Sequence, residues 1–289
     1  MHIGVVFPQT EIGSDPVVIK DYAQAAEELG YSHILVYDHV IGANLVSRPG
    51  WHPPYSHLDS FQEPLVLFGY LAGLTKTIEL TTGIIILPQR QTVLVAKQAA
   101  TVDVLSGGRL RFGVGIGWNP VEYEALGQDF KNRGRRCEEQ VELLRQLWTR
   151  ELVTFKGRWH TVTDAGINPL PIQRPIPIWF GGTDDRALGR LAKLGDGWFP
   201  LMNPDEQCRT AIEKIRSYAR EVGRDPKKIG IEGRISHGSR SEEAWRKDLQ
   251  AWMTLGATHV SFNTMKANLP SPAAHIEAIR RFHAVALSV

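Results

Sequence analysis

The chain is poor in the residues that mark several common protein classes. Its 289 residues include two cysteines, Cys137 and Cys208, which lie far apart and form no C-x-x-C pair. This argues against a disulfide scaffold or a structural zinc site and fits a reducing compartment. The formal net charge is +2, and no dense Lys/Arg run occurs beyond Arg133 to Arg136, which reads as a solvated helix face and not as a nucleic-acid footprint. No apolar run is long enough to cross a membrane. The N-terminus enters a strand pattern at once and meets Pro8 and Asp15-Pro16, unlike a signal peptide. The expectation is a cytoplasmic protein that engages neither membrane nor nucleic acid. Two phosphate cradles are missing as well. No Gly-Lys-Ser/Thr triplet occurs, and a G-x-G-x-x-G fingerprint begun at Gly113 or Gly115 meets Trp118 or Pro120 where its third glycine belongs.

What the chain does have is a glycine-studded strand, Arg109 to Trp118, R-L-R-F-G-V-G-I-G-W. Leu110, Phe112, Val114, Ile116 and Trp118 fall on one face, and Gly113, Gly115 and Gly117 on the other, because successive strand side chains point to opposite sides. Glycines in a strand give up backbone entropy and pack nothing, so something must lie close against that face. Either a bound planar ring does so, or another backbone or side chain in a tight barrel layer.

Around this strand the pattern alternates. Apolar runs at Ile3–Phe7, His33–Tyr37, Ile78–Leu87, Ile176–Phe180, Gly197–Phe199, Ile229–Ile235 and Thr258–Asn263 read as buried strands. Each is followed by a helix, with signals such as Asp15-Pro16, Ser241 and Pro272 at the starts and Gly30, Gly107-Gly108, Gly223 and Gly256 at the ends. Asn203-Pro204 reads as the opening of another. Eight parallel strands with crossover helices predict an α/β fold, a (β/α)8 TIM barrel formed by one domain over 1–289. Insertions fall after the second strand, about 41–62, and before the fifth, about 151–175, the latter carrying a hairpin. A doubly wound open sheet is the runner-up, but it usually declares itself by a phosphate loop after its first strand, where this chain has Pro8-Gln9-Thr10.

Active sites of such barrels lie at the C-terminal ends of the strands. Those ends read Pro8-Gln9, Asp38-His39, Leu87-Pro88, Gly117-Trp118, Gly181-Gly182-Thr183, Trp198-Phe199, Arg234 and Asn263. The rim lacks the paired histidines of a metal-dependent hydrolase, a lysine for Schiff-base chemistry, and the two opposed carboxylates of a glycosidase. A site of surfaces, backbone groups and one histidine suits a cofactor that carries the reaction. His39 is the titratable group placed for proton transfer or for hydrogen-bonding a ring, the alternative being a structural hydrogen bond. Gly181-Gly182-Thr183 opens a helix and offers backbone N–H groups to an anion. The loop carrying Trp51, His52, Tyr55 and His57 reads either as a lid or as a surface loop docked by its aromatics.

Taken together, Tyr37-Asp38-His39, Thr82 to Arg90, Leu105 to Trp118, Pro175 to Gly182 and Gly195-Asp196-Gly197-Trp198 resemble the bacterial luciferase-like superfamily of flavin- and deazaflavin-dependent oxidoreductases. They resemble most the branch that uses coenzyme F420. The resemblance implies a cofactor ring at the barrel mouth, against the glycine strand at Gly115, Gly117 and Trp118. It implies His39 as the catalytic group and Asp38 as its partner at the cofactor. It implies a bulge with a cis non-proline peptide at the third-strand end, matched by distance from Pro88 to Ile84-Ile85, with Thr82 beside it. Gly181, Gly182 and Thr183 match the segment that receives the phosphate side. Some deazaflavin-dependent members place a glutamate directly after the glycine strand. Here that place is Trp118, with Glu122 and Glu124 following. The implied activity is hydride transfer between F420 and a small organic substrate, in a homodimer. The alternatives are an FMN-dependent monooxygenase using reduced flavin and O2, and a non-catalytic flavin-binding protein.

Overall fold

Capped helices and short apolar strands follow one another along nearly the whole chain. The computed structural model describes residues 1–238 and 240–289. In order, these form β1 (His2–Val6), α1 (Pro16–Glu28), β2 (His33–Val36), α2 (Pro64–Leu74), β3 (Glu79–Thr82), β4 (Ile85–Ile86), α3 (Thr92–Ser106) and β5 (Leu110–Gly115). Then come α4 (Pro120–Ala125), α5 (Arg133–Thr149), β6 (Val153–Lys156), β7 (Thr161–Ala165), β8 (Ile178–Gly181), α6 (Asp185–Leu194) and β9 (Gly197–Phe199). The rest is α7 (Glu206–Glu221), β10 (Gly230–Ser236), α8 (Glu242–Thr254), β11 (His259–Asn263) and α9 (Pro272–Leu287). Among the described residues no helix is long and apolar enough to cross a membrane.

The sheet closes on itself. Parallel neighbours run β1, β2, β3, β5, β8, β9, β10, β11 and back to β1, with β4 continuing the β3 stave beside β5. This is the eight-staved barrel that the sequence pattern predicts, and β6–β7 is an antiparallel hairpin outside it. The caps follow their chemistry. Asp15 accepts from Val17 N at 2.8 Å ahead of Pro16, and Ser241 and Ser271 cap α8 and α9. Gly107, at φ +72°, ends α3 where a side chain would be strained.

Several boundaries differ from the sequence reading. The helix expected to open at Asn203-Pro204 is capped by Asp205, whose carboxylate accepts from Cys208 N. Helix α4 is an additional element, capped by Asn119. The glycine strand ends its ladder at Gly115, short of Trp118. The run Ile78–Leu87, read as one strand, breaks in two. Leu80 pairs with Leu110 and Ile85 with Val114, so five steps on the third stave match four on β5. One extra residue therefore bulges between β3 and β4.

Alternation sorts the side chains into two apolar clusters. Leu110, Phe112 and Val114 join the large core between sheet and helices, while Val6, Leu35, Trp179, Phe199 and Met265 fill the barrel lumen toward the mouth. Below them the lumen is charged, which the apolar reading of the strands did not anticipate. Arg111 donates from Nη1 to Glu232 at 2.5 Å and from Nε to Glu79 at 2.6 Å, and Glu232 also meets His33 Nε2 at 2.9 Å and the Ser261 hydroxyl. Burial alone would raise the Glu232 carboxyl. The charges of Arg111 and His33, with the hydrogen bonds from His33 and Ser261, hold it well below the usual carboxylate range. Gly4 leaves space for the His33 ring, since an added Cβ would lie 2.2 Å from its Nε2.

Removing one partner of a buried pair leaves the other charge uncompensated. Arg111→Met is therefore expected to cost about 3–5 kcal/mol in urea unfolding at pH 7, with much of the loss recovered when Glu232→Leu is added. His259 gives a pH signature. Burial first, then the Arg111 charge, lowers its pKa from 6.5 to about 3. The folded state thus resists a proton that the unfolded chain takes up, and stability complete above pH 6.5 declines as pH falls toward 3. Allowing for its partial exposure, His259→Gln should lose about 1 kcal/mol less than the wild type between pH 7 and 5.

Candidate active site

Asp38, at the end of the second stave, fixes the mouth. Its side chain is buried, and its two oxygens are divided between neighbours. Oδ2 accepts from Ile86 N at 2.9 Å, and Oδ1 accepts from Arg90 Nη2 at 2.7 Å. Arg90 reaches on to Glu63 at 2.8 Å, the residue that caps α2. Asp38 therefore holds the bulge of the neighbouring stave and does not open onto a cavity. The cis peptide lies at Gly83–Ile84, one bond earlier than the matched Ile84-Ile85. This is where the extra residue sits, and Gly83 is required there because a Cβ would fall 2.2 Å from Leu35 Cδ2.

That bulge settles what the glycine face receives. A Cβ on Gly115 would lie 2.5 Å from Ile84 Cδ1, one on Gly117 2.7 Å from Ile86 Cγ2, and one on Gly113 1.9 Å from the Thr82 carbonyl oxygen. The close neighbours are the protein's own atoms, so the expectation of a ring lying directly on these glycines is corrected. Ile84 covers Gly115 and also lies against the position of Gly181. It packs against the lumenal cluster while staying half-exposed. Two further residues singled out in the sequence are turned away. Ile85 is fully buried in the outer core, and Thr82 is buried with its hydroxyl donating to Gly113 O at 2.8 Å.

His39 follows Asp38 and points the other way. Its Nδ1 lies 3.1 Å from Glu122 Oε1. Glu122 is fully buried on α4 and also accepts from Val40 N at 3.2 Å and Gln89 Nε2 at 3.1 Å. Three donors converge on this carboxylate, so the imidazole presents Nδ1–H to it. Nε2 is then left to exchange a proton or a hydrogen bond with a bound molecule, since no described residue partners it. The ring stands among Phe61, Tyr55 and Trp118 at centroid distances of 4.7, 5.0 and 5.7 Å. Together they line a cavity of about 270 Å³ whose far wall is the segment Tyr55 to Phe61. The aromatic loop thus builds one side of the site, with Trp51 packing on Trp118 at 6.2 Å. His52 is not among the residues that line this cavity.

On the opposite side of the mouth, Thr183 lines an open trough of about 750 Å³ with Arg234, Ser236, Asn203 and Arg240. Gly182 has φ +116°, and an added Cβ would meet Ala187 at 2.8 Å. Asp184, one residue beyond Thr183, caps α6 by accepting from Arg186 N and Ala187 N. Arg240 is paired with Asp248, whereas among the described residues Arg234 donates to the Tyr37 hydroxyl alone, at 3.2 Å. It also lines a small axial cavity of about 40 Å³ between trough and lumen.

Sequence reasoning missed the role of Glu122. Its only signal was an acidic residue soon after the glycine strand, and Glu124 beside it is exposed. Phe61 was missed too, and Tyr55, singled out only as part of the aromatic loop, proves to wall His39.

The family model described as luciferase-like monooxygenase matches residues 1–286. An uncharacterized protein of Mycobacterium tuberculosis is 30% identical over 223 residues, covering 75% of this chain and 77% of that one. An FMNH2-dependent dimethylsulfone monooxygenase of Pseudomonas putida is 30% identical over 190 residues, 64% of this chain and 52% of its own. Among solved structures, an F420-dependent secondary alcohol dehydrogenase superposes with a TM-score of 0.79 at 20% identity, covering 98% of both chains. With its closed barrel, its bulged third stave and a family match over almost its full length, the chain belongs to the luciferase-like monooxygenase family, whose members are oxidoreductases and monooxygenases.

Proposed function

We propose that the protein is an oxidoreductase that moves a hydride between coenzyme F420 and a small organic substrate, with His39 exchanging the accompanying proton. The observation that carries this reading is the Glu122–His39 pair at the wall of a cavity, with Nε2 unpartnered. The mouth fits a flavin-like group on two counts. Ile84 offers a half-exposed apolar surface backed by glycines. The trough of Thr183, Ser236 and Arg234, which has no carboxylate partner among the described residues, offers hydroxyl and guanidinium donors for a phosphate-bearing tail, while its carboxylates Asp205 and Asp248 are engaged by Cys208 N and Arg240. When bound, the deazaflavin supplies or accepts the hydride.

The protein's share is orientation and proton management. Glu122 keeps Nδ1 protonated and holds the ring plane, so that Nε2 takes the hydroxyl proton of an alcohol being oxidised or returns one to a carbonyl being reduced. Tyr55, Phe61 and Trp118 wall the ring from bulk water. Burial pushes the Tyr55 hydroxyl well above the ordinary phenol range, so it remains a neutral group beside His39. A second reading is an FMN-dependent monooxygenase, favoured by the sequence relative in Pseudomonas putida. The two differ in chemistry because a deazaflavin has carbon where flavin has N5 and reacts poorly with oxygen.

Titration of the purified protein with F420 and with FMN, followed by absorbance and fluorescence, should show tight binding of F420. Tight binding of FMN alone reverses the order of the two readings, and binding of neither favours a non-catalytic protein. His39→Ala is expected to lower turnover by about 10²–10⁴-fold while shifting the melting temperature little. Glu122→Gln should lower it at least about tenfold, because an amide turns a donor toward three donors. Equal losses of turnover and stability in His39→Ala would mark the histidine as structural.

A further inference from the structure

The cavity beside His39 carries information about what enters it. We infer that it is the substrate subsite, and that it takes an uncharged molecule of about one six-membered ring bearing a hydroxyl or carbonyl oxygen. The assignment rests on His39 being the proton-exchanging group of the proposed function.

Size sets the first bound. The cavity measures about 270 Å³, and a dry cavity of about 150 Å³ holds benzene, so one substituted ring fits readily while three fused rings do not. The walls set the second. Tyr55, Phe61 and Trp118 present ring faces and edges around His39, which suits a flat apolar body. Trp118 is the most accessible of the three, at 38%.

Charge sets the third. No lysine or arginine is among the lining residues, whereas Asp59 is one of them. Asp59 Oδ2 accepts from Ser56 N and Oγ, so the wall offers an acceptor-rich edge that opposes an anion. A cation is opposed differently. Lys266 Nζ already stands 4.7 Å from the Tyr55 centroid, held by its bond to Pro54 O at 2.9 Å, so a positive charge is in place at that wall and repels a second one. Among the described residues none partners His39 Nε2, the polar atom at the centre of the aromatic walls. An alcohol or carbonyl oxygen completes it. Elsewhere on the wall, Asn119 Oδ1 is engaged by Val121 N, and His57 Nδ1 lies 3.3 Å from Ala43 O.

Benzyl alcohol, benzoate and benzylammonium are matched in size and differ in charge. Binding of each to the purified full chain, by saturation-transfer NMR without cofactor and again with F420 or FMN, should show benzyl alcohol at least tenfold tighter than either ion. Trp118→Ala should weaken it at least fivefold with the circular dichroism spectrum unchanged. An ion bound as tightly as the alcohol, no binding of the alcohol with or without cofactor, or an affinity indifferent to Trp118→Ala would each overturn the assignment. If the alcohol binds and neither cofactor does, the subsite stands and the proposed function falls. If a cofactor binds and the alcohol does not, the subsite alone falls.

Discussion

The hydrogen bond from Ile86 N to the Asp38 carboxylate, 2.9 Å long and buried, is the contact on which the mouth depends. It joins the end of the second stave to the far side of the bulge in the third, with Arg90 neutralising the carboxylate from outside. Because a buried carboxylate left unpaired is costly, this three-way contact pins the backbone of both loops at once. His39 is the next residue, so its direction follows from the anchoring of Asp38. Glu122 then catches a ring whose position is already set.

The glycine strand takes its meaning from the same bulge. Gly115 and Gly117 have no side chains because Ile84 and Ile86 occupy that volume. The glycines thus make room for these isoleucines, and Ile84 stays half-exposed at the mouth. Any larger residue at Gly115 would collide with Ile84, whose Cδ1 lies 2.5 Å from where a Cβ would stand.

Lower in the lumen, Arg111, Glu79, Glu232, His33 and Ser261 form a dense polar layer beneath the apolar plug of Val6, Leu35, Trp179 and Phe199. Arg111 also stacks 4.4 Å from the Trp179 ring, which couples the two layers. Charges held by several partners in a low-dielectric setting resist rearrangement. The base of the barrel is therefore cross-braced by charge between the staves that carry Glu79, Arg111, Glu232 and His33.

Local rules were enough to read much of this molecule. The alternation of Leu110, Phe112 and Val114 against glycine identified a strand and both its faces, and Asp15-Pro16, Ser241 and Gly107 marked helix ends by chemistry that acts within one turn. Eight repeats of that grammar gave the barrel, and the barrel placed Asp38, His39 and Thr183 at its mouth. What sequence could not supply were pairings across distance. Glu122 meets His39 from 83 positions away and His33 meets Glu232 from 199, and nothing in either neighbourhood encodes the partner. Ile84 over Gly115 likewise follows from one extra residue in a ladder, a matter of register between staves. Periodicity and capping are properties of a few consecutive residues, so the chain states them itself. Which side chain fills a glycine's space, or holds a histidine's nitrogen, is decided only when the sheet closes and brings distant segments to the same few ångströms.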